Sequence, residues 1–205
     1  MKSLSNYINE SLLCEAVPNF DNNFEGIKAF CEYVYDPDFV NWTINSDLTI
    51  TISPVKPTPN GVNNLYMHPK DLKEIPSFIK YSNIPSITLG LTGSKKLKKW
   101  APNVVGTCAG VVVSETAKIQ ELDLTNCDCK GGKLYIEKVG TIQKIIGGKG
   151  DGVQVYVKKN KSLTYLDLSG FKNCMDPGSY IVNNKILKLD PKLIPTEISK
   201  TNIEK

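Results

Sequence analysis

The phrase Ile119-Gln120-Glu121-Leu122-Asp123-Leu124 returns as Leu163-Thr164-Tyr165-Leu166-Asp167-Leu168. Between them stands a weaker copy, Ile142-Gln143-Lys144-Ile145-Ile146-Gly147, and before them a degenerate one, Leu97-Lys98-Lys99-Trp100. The lead residues 97, 119, 142 and 163 are spaced by 22, 23 and 21 positions. Six positions ahead of each stands another aliphatic: Leu91, Val113, Ile136 and Val157. A period near 22 with a constant apolar pattern marks units that stack, because one such unit cannot bury its own apolar side. The sequence predicts a coil of about 22 residues repeated along an axis.

Each coil contributes a short strand that pairs in parallel with the next at about 4.8 Å. Leu122 and Leu124 point inward to a shared apolar column, and their neighbours point outward. The upstream runs Val111-Val112-Val113, Leu134-Tyr135-Ile136 and Val153-Gln154-Val155-Tyr156-Val157 are also strand-forming, which predicts two strands per coil.

Ile119-x-x-Leu122-x-Leu124-x-x-Cys127, with Cys129 two further on, resembles the leucine-rich-repeat phrase. The copy at Leu163 departs from it with Phe171 at the Asn/Cys site, and the copy at Ile142 with Gly147 at an inward site. The resemblance spans residues 90–175. The expected fold is mainly β, leucine-rich-repeat-like or a β-solenoid, with a small N-terminal helical cap. The competing reading is an α+β fold with a meandering sheet.

Around this stretch the chain divides into 1–10, 11–64, a repeat domain at 65–190 and a flexible tail at 191–205. Residues 11–64 form a helical and strand cap ending in a proline-rich loop. Phe24, Ile27, Phe30, Tyr33 and Val34 follow helical spacing up to Asp36-Pro37, and their aromatics suit a lid on one end of a solenoid. Leu48-Thr49-Ile50-Thr51-Ile52 alternates as a strand. An earlier, irregular repeat starts with Tyr66, six positions before Leu72. Tyr180-Ile181-Val182 and Ile186-Leu187-Lys188-Leu189 predict a terminal coil or capping hairpin.

At the N-terminus Leu4, Tyr7, Ile8 and Leu12 share one helical face. Met1-Lys2 and this helix resemble the capsid-targeting peptide of internal head proteins in T-even-type tailed phages. In that group a prohead protease cuts after Glu in an (Ile/Leu)-x-Glu motif. Ile8-Asn9-Glu10 fits the motif, while Ser11 stands where Ala or Gly is usual. The resemblance covers about ten residues and implies processing at Ile8, Glu10 and Ser11.

Composition narrows the function classes. Of 205 residues, 40% are hydrophobic and 22% charged, so the chain has material for a core. A net charge of +4, scattered along the sequence, does not point to nucleic acid. No apolar run suits a signal peptide or a transmembrane helix, so a membrane is not an expected partner. The expected location is a virion or the host cytoplasm, and the six cysteines read as reduced thiols.

Chemistry-bearing patterns are sparse. His68 is the one histidine and reads as a surface residue. Cys127-x-Cys129 could open a thiolate site completed by Cys108 or Cys174. Those outer cysteines hold equivalent places, which puts them roughly 14 Å apart, so no metal site is expected. Gly147-Gly148-Lys149-Gly150-Asp151-Gly152 lacks the phosphate-loop ending and a second calcium-binding copy, and reads as a tight turn between coils. On the outward strand face lie Glu121, Asp123 and Thr125, then Lys144 and Ile146, then Tyr165, Asp167 and Ser169. Asp123 and Asp167 share a column two coils apart, roughly 10 Å, too far for a retaining carboxylate pair.

Two functions follow as expectations, both non-enzymatic and without a cofactor. One is a structural or packaged protein of a tailed-phage particle, whose partners are capsid or other virion proteins and which can form oligomers through open solenoid ends. The other is a leucine-rich-repeat module that binds a protein or glycan through Glu121, Asp123, Thr125, Lys144, Tyr165, Asp167 and Ser169.

Overall fold

The structure, a computed structural model, describes residues 17–59, 62–175, 178–185, 189–198 and 203. The N-terminal amphipathic segment, the Ile8-Asn9-Glu10-Ser11 motif and the Ile186-Leu187-Lys188 run lie outside the described residues.

Asn23 opens the one α-helix among the described residues, α1 (Phe24–Val34), by accepting the Gly26 N–H at 2.8 Å, so one otherwise unpaired amide is satisfied. Ile27, Phe30, Cys31 and Val34 are buried on one face, whereas Phe24 is 50% exposed. The helix stops at Tyr35, ahead of Asp36-Pro37, as the restriction on residues before proline requires. A hairpin follows, β1 (Val40–Ile44) against β2 (Ile50–Pro54), antiparallel from Val40↔Pro54 to Ile44↔Ile50. β2 is the strand that the alternation over residues 48–52 predicts; β1, with alternating Val40, Trp42 and Ile44 just beyond the helix stop, is a further strand not among those expectations.

The chain then winds through β3 (Asn63–Met67), β4 (Ile84–Leu91), β5 (Lys99–Trp100), β6 (Cys108–Val113) and β7 (Glu121–Asp123). It continues through β8 (Lys133–Glu137), β9 (Lys144–Ile146), β10 (Gly150–Asp151), β11 (Gln154–Lys158), β12 (Tyr165–Asp167), β13 (Phe171–Lys172) and β14 (Tyr180–Val182). These make a β-solenoid of about five coils of roughly 22 residues, mainly β as expected. One wall is a six-stranded parallel sheet in the order β14-β11-β8-β6-β4-β3. A second wall is a four-stranded parallel sheet, β12-β9-β7-β5.

The walls keep the predicted register. Leu91 pairs with Val113, Val113 with Ile136, Ile136 with Val157, and Val157 with Ile181. Across the core, Trp100, Leu122, Ile145 and Leu166 form the facing column. Leu122, Leu124, Ile136, Ile142, Ile145 and Val157 are fully buried, each contributing about 1.5–3 kcal/mol of burial.

Three details differ from the sequence reading. The earliest coil is in register through Met67, paired with Leu91, so Tyr66 points outward opposite Gly90. A third ladder completes each coil, through the bridges Thr107↔Asp128↔Lys149 and the β10–β13 pair. The glycine-rich run is therefore not simply a turn: Lys149 to Asp151 belong to this ladder, and Gly152, at φ +69°, makes the corner. A Cβ at Gly148 would stand 2.4 Å from the Cys127 carbonyl oxygen, so this position admits no side chain.

Both ends are covered. Residues of α1, β1 and β2 join the same continuous core as the coils, and the His68 N–H donates to the Val34 carbonyl at 2.8 Å. At the far end Ile194 and Ile198, in the segment read as a flexible tail, are buried, and the Leu168 N–H donates to the Leu193 carbonyl at 2.7 Å. Ile203 bridges in parallel to Ile181, one step beyond β14.

Candidate functional site

The outward residues of the four-stranded sheet fall in two rows. Register places Lys99, Glu121, Lys144 and Tyr165 in one row, and Asp123, Ile146 and Asp167 in the next. The expected column of Asp123 and Asp167, two coils apart, is present.

These charges mainly satisfy one another. Lys99 Nζ lies 2.8 Å from Glu121 Oε1 and 3.0 Å from Asp123 Oδ2, and Lys144 Nζ lies 3.8 Å from Glu121 Oε2. Lys144 Nζ also stands 5.9 Å from the ring centre of Tyr165, within reach of a cation–π attraction. The two aspartates have a further task. Asp123 Oδ1 accepts the Thr125 hydroxyl at 2.6 Å and its N–H at 3.2 Å, and Asp167 Oδ1 accepts the Ser169 hydroxyl at 2.7 Å and its N–H at 3.0 Å. Such Asx turns hold the corner after each strand. Burial pushes the Asp123 carboxyl up, but the bonds from Thr125 and Lys99 outweigh it and hold the group below its ordinary value. Thr125 and Ser169 thus serve the corners, and Lys144 and Tyr165, 41% exposed, are the freer part of this face.

The outer face of the six-stranded sheet was not singled out from sequence. One row there reads Tyr66, Gly90, Val112, Tyr135, Tyr156 and Tyr180. Tyr135 and Tyr156 have ring centres 5.6 Å apart, Tyr156 and Tyr180 5.8 Å. The last pair is stacked at 29°, so one face of each ring is turned to the other. Lys158 Nζ reaches both rings, at 5.4 and 5.7 Å. The Tyr135 hydroxyl donates to Glu137, and that bond, with burial second, pushes the phenol up to about 12. The signal was available: Tyr135 and Tyr156 each stand between two inward residues of the runs already read as strands.

At the capped end of this face lies a groove of about 380 Å³, between the turn after α1 and strand β3. Asp36, Phe39, Asn64, Tyr66 and His68 line it.

The five cysteines among the described residues, Cys31, Cys108, Cys127, Cys129 and Cys174, are buried. Cys108 and Cys129 occupy adjacent coils with their Sγ atoms 3.7 Å apart, and the register carries this column on through Gly150 to Phe171, so Cys108 and Cys174 do not hold the equivalent places expected of them. The hydrogen bond to Cys108, and then burial, drive the Cys129 thiol far up. Cys127 donates to the Pro102 carbonyl at 3.1 Å and is raised by burial. Among the described residues no three His, Cys, Asp or Glu side chains converge as metal ligands. Asp151 accepts from Asn173 Nδ2 at 2.6 Å, which ties the third ladder together.

Comparison with known proteins finds no matching family model, no matching curated protein and no matching solved structure.

Proposed function

We propose that this chain works by assembly or binding rather than by chemistry, as a structural or packaged protein of a tailed-phage particle built on a repeat scaffold. The observation that supports a particle component is the N-terminal sequence itself, Met1-Lys2 with Ile8-Asn9-Glu10. A continuous core closed at both ends accords with a protein that must stay folded through packaging. N-terminal sequencing of the protein from mature particles tests this. A chain beginning at Ser11 supports the reading; an intact Met1, or absence from particles, overturns it.

A second reading is a leucine-rich-repeat-like module that binds a protein through the four-stranded face. Lys144 and Tyr165 favour it, because neither is held by a corner bond or by the close ion pairs of Lys99. A Lys144→Ala/Tyr165→Ala double variant should lose its partner in pull-downs while keeping its fold. Unchanged capture moves the site elsewhere.

A further inference from the structure

The groove beside β3 has features that neither proposed role uses. Tyr66 lies outward opposite Gly90, and its ring covers the space a side chain would fill there. A Cβ on Gly90 would sit 2.5 Å from Tyr66 Cδ1 and 2.9 Å from both Cγ and Cε1. Near-equal distances to three ring atoms mean that the ring lies flat on the sheet and turns its other face to the groove. Tyr156 and Tyr180, by contrast, stack on each other.

Phe39 borders the same groove and, at 68%, is the most exposed large apolar side chain among the described residues. The backbone is fixed because Phe39 and Val40 both donate N–H to the Asp36 carbonyl, at 3.1 and 2.9 Å, and Val55 donates to the Phe39 carbonyl at 3.0 Å. Asp36 Oδ1 accepts the Asp38 N–H at 2.9 Å, which sets the carboxylate. On the opposite wall the His68 N–H is held by Val34. Both walls are thus preformed, and a ligand would bear little ordering cost.

We propose that this groove is a binding site for a neutral saccharide, with a pyranose ring packed on the open face of Tyr66 and against Phe39, and its hydroxyls on Asp36, Asn64 and His68. The pairing follows from chemistry. A pyranose has an apolar C–H face and a rim of hydroxyls, each both donor and acceptor. The groove offers aromatic surface beside a carboxylate that accepts, an amide that does both and an imidazole that does both. The one charged residue lining it is Asp36, so an anionic ligand meets repulsion. A wholly apolar ligand would strip water from Asp36, Asn64 and His68 without replacing their bonds. The volume falls in the range of small-molecule sites. The site lies on a different sheet from the Lys144/Tyr165 face, so it stands or falls independently of either proposed role.

The test is an NMR titration of the full chain with glucose, galactose, N-acetylglucosamine and their disaccharides, alongside N-acetyl-tyrosinamide as a peptide-like probe. Saturable amide shifts confined to residues 36–39, 64–68 and 90–92 with at least one saccharide are expected. Tyr66→Ala should weaken that binding by about tenfold or more, an order typical of losing an aromatic anchor. Asn64→Ala, at an exposed position that leaves folding intact, should also weaken it. Gly90→Ala should do so by lifting the Tyr66 ring. No saturable shift with any saccharide, shifts elsewhere, affinity unchanged in both Tyr66→Ala and Asn64→Ala, or binding of the tyrosine probe alone would each overturn the proposal.

Discussion

The hydroxyls of Tyr35 and Tyr81 meet at 2.7 Å, both fully inside the protein and 46 positions apart in sequence. Tyr35 ends α1, and Tyr81 sits in the first coil, bridging in parallel to Ile50 of β2 and to Val104. The bond joins the cap to the solenoid at a place where neither hydroxyl can turn to water. Tyr81→Phe should cost about 1–3 kcal/mol because it strands the Tyr35 hydroxyl, while Tyr35→Phe/Tyr81→Phe should cost less than the two single changes together. Urea unfolding of the three variants checks this, and strict additivity would remove the pair from the joint.

The same burial sets the response to alkali. Burial, first of all, raises Tyr35 and Tyr81 above their ordinary value of 10.0, and raises Cys31 from 9.0 to about 12. Groups whose folded value exceeds the unfolded one contribute fully below the unfolded value, and that contribution is lost as pH climbs toward the folded one. Stability should hold up to about pH 9 and fall between about 9 and 12, with the steepest loss above 10 where the tyrosines join. Thermal melts across that range test it. In Cys31→Ala the decline should still begin near pH 9, because burial also raises Cys127 and Cys174 from 9.0, but it should be shallower up to about pH 10 and start from a lower plateau.

How much of this was legible depended on whether a residue's task left an apolar trace. Leu91, Val113, Ile136 and Val157 were readable as a column because each coil offers the core one aliphatic at the same phase. The first coil slipped by one: counting back six from Leu72 reaches Tyr66, but the corner through Pro69 is one residue shorter and the true partner of Leu91 is Met67. The third ladder left no trace, since it bridges through polar Thr107, Asp128 and Lys149. Asp123 and Asp167 were visible as outward carboxylates, but their bonds to Thr125 and Ser169 were not, because outward polarity looks the same whether it waits for a partner or holds a turn. The groove could not be read at all. Its walls, 36–39 and 64–68, become neighbours only when the cap docks on the first coil.

Glycines in the coil corners divide sharply. A Cβ at Gly148 would press on backbone oxygens of Cys127 and Leu124, at 2.4 and 2.5 Å, with no flexible side chain to yield. Gly148→Ala should therefore destabilise by about 1–3 kcal/mol or more, as overpacking against a rigid neighbour does. At Gly140 nothing lies within 4 Å, and its φ is not in the left-handed region. Gly140→Ala should stabilise by about 0.4–1 kcal/mol through the unfolded state. Denaturant midpoints of the two variants should move in opposite directions.

The Asp123 environment separates an ion ladder from a turn. Lys99, half-exposed, faces both Glu121 and Asp123, and surface pairs of this kind contribute about 0–1 kcal/mol. Asp167 has the same corner bonds, to Ser169, but no ion pair among the described residues. If the corners govern stability, Asp123→Ala and Asp167→Ala should destabilise by similar amounts, about 0.5–2 kcal/mol each on the scale of lost caps. Asp123→Asn, which keeps an acceptor oxygen for Thr125, should recover most of that loss, and Lys99→Ala should cost less than about 1 kcal/mol. The salt dependence gives the second reading: raising ionic strength should narrow the gap between wild type and Lys99→Ala but leave the Asp167→Ala deficit in place, because hydrogen bonds within a turn are not screened as exposed charges are. A large Lys99→Ala effect that salt abolishes would instead make the ladder, not the corner, the reason for acidic residues on this face.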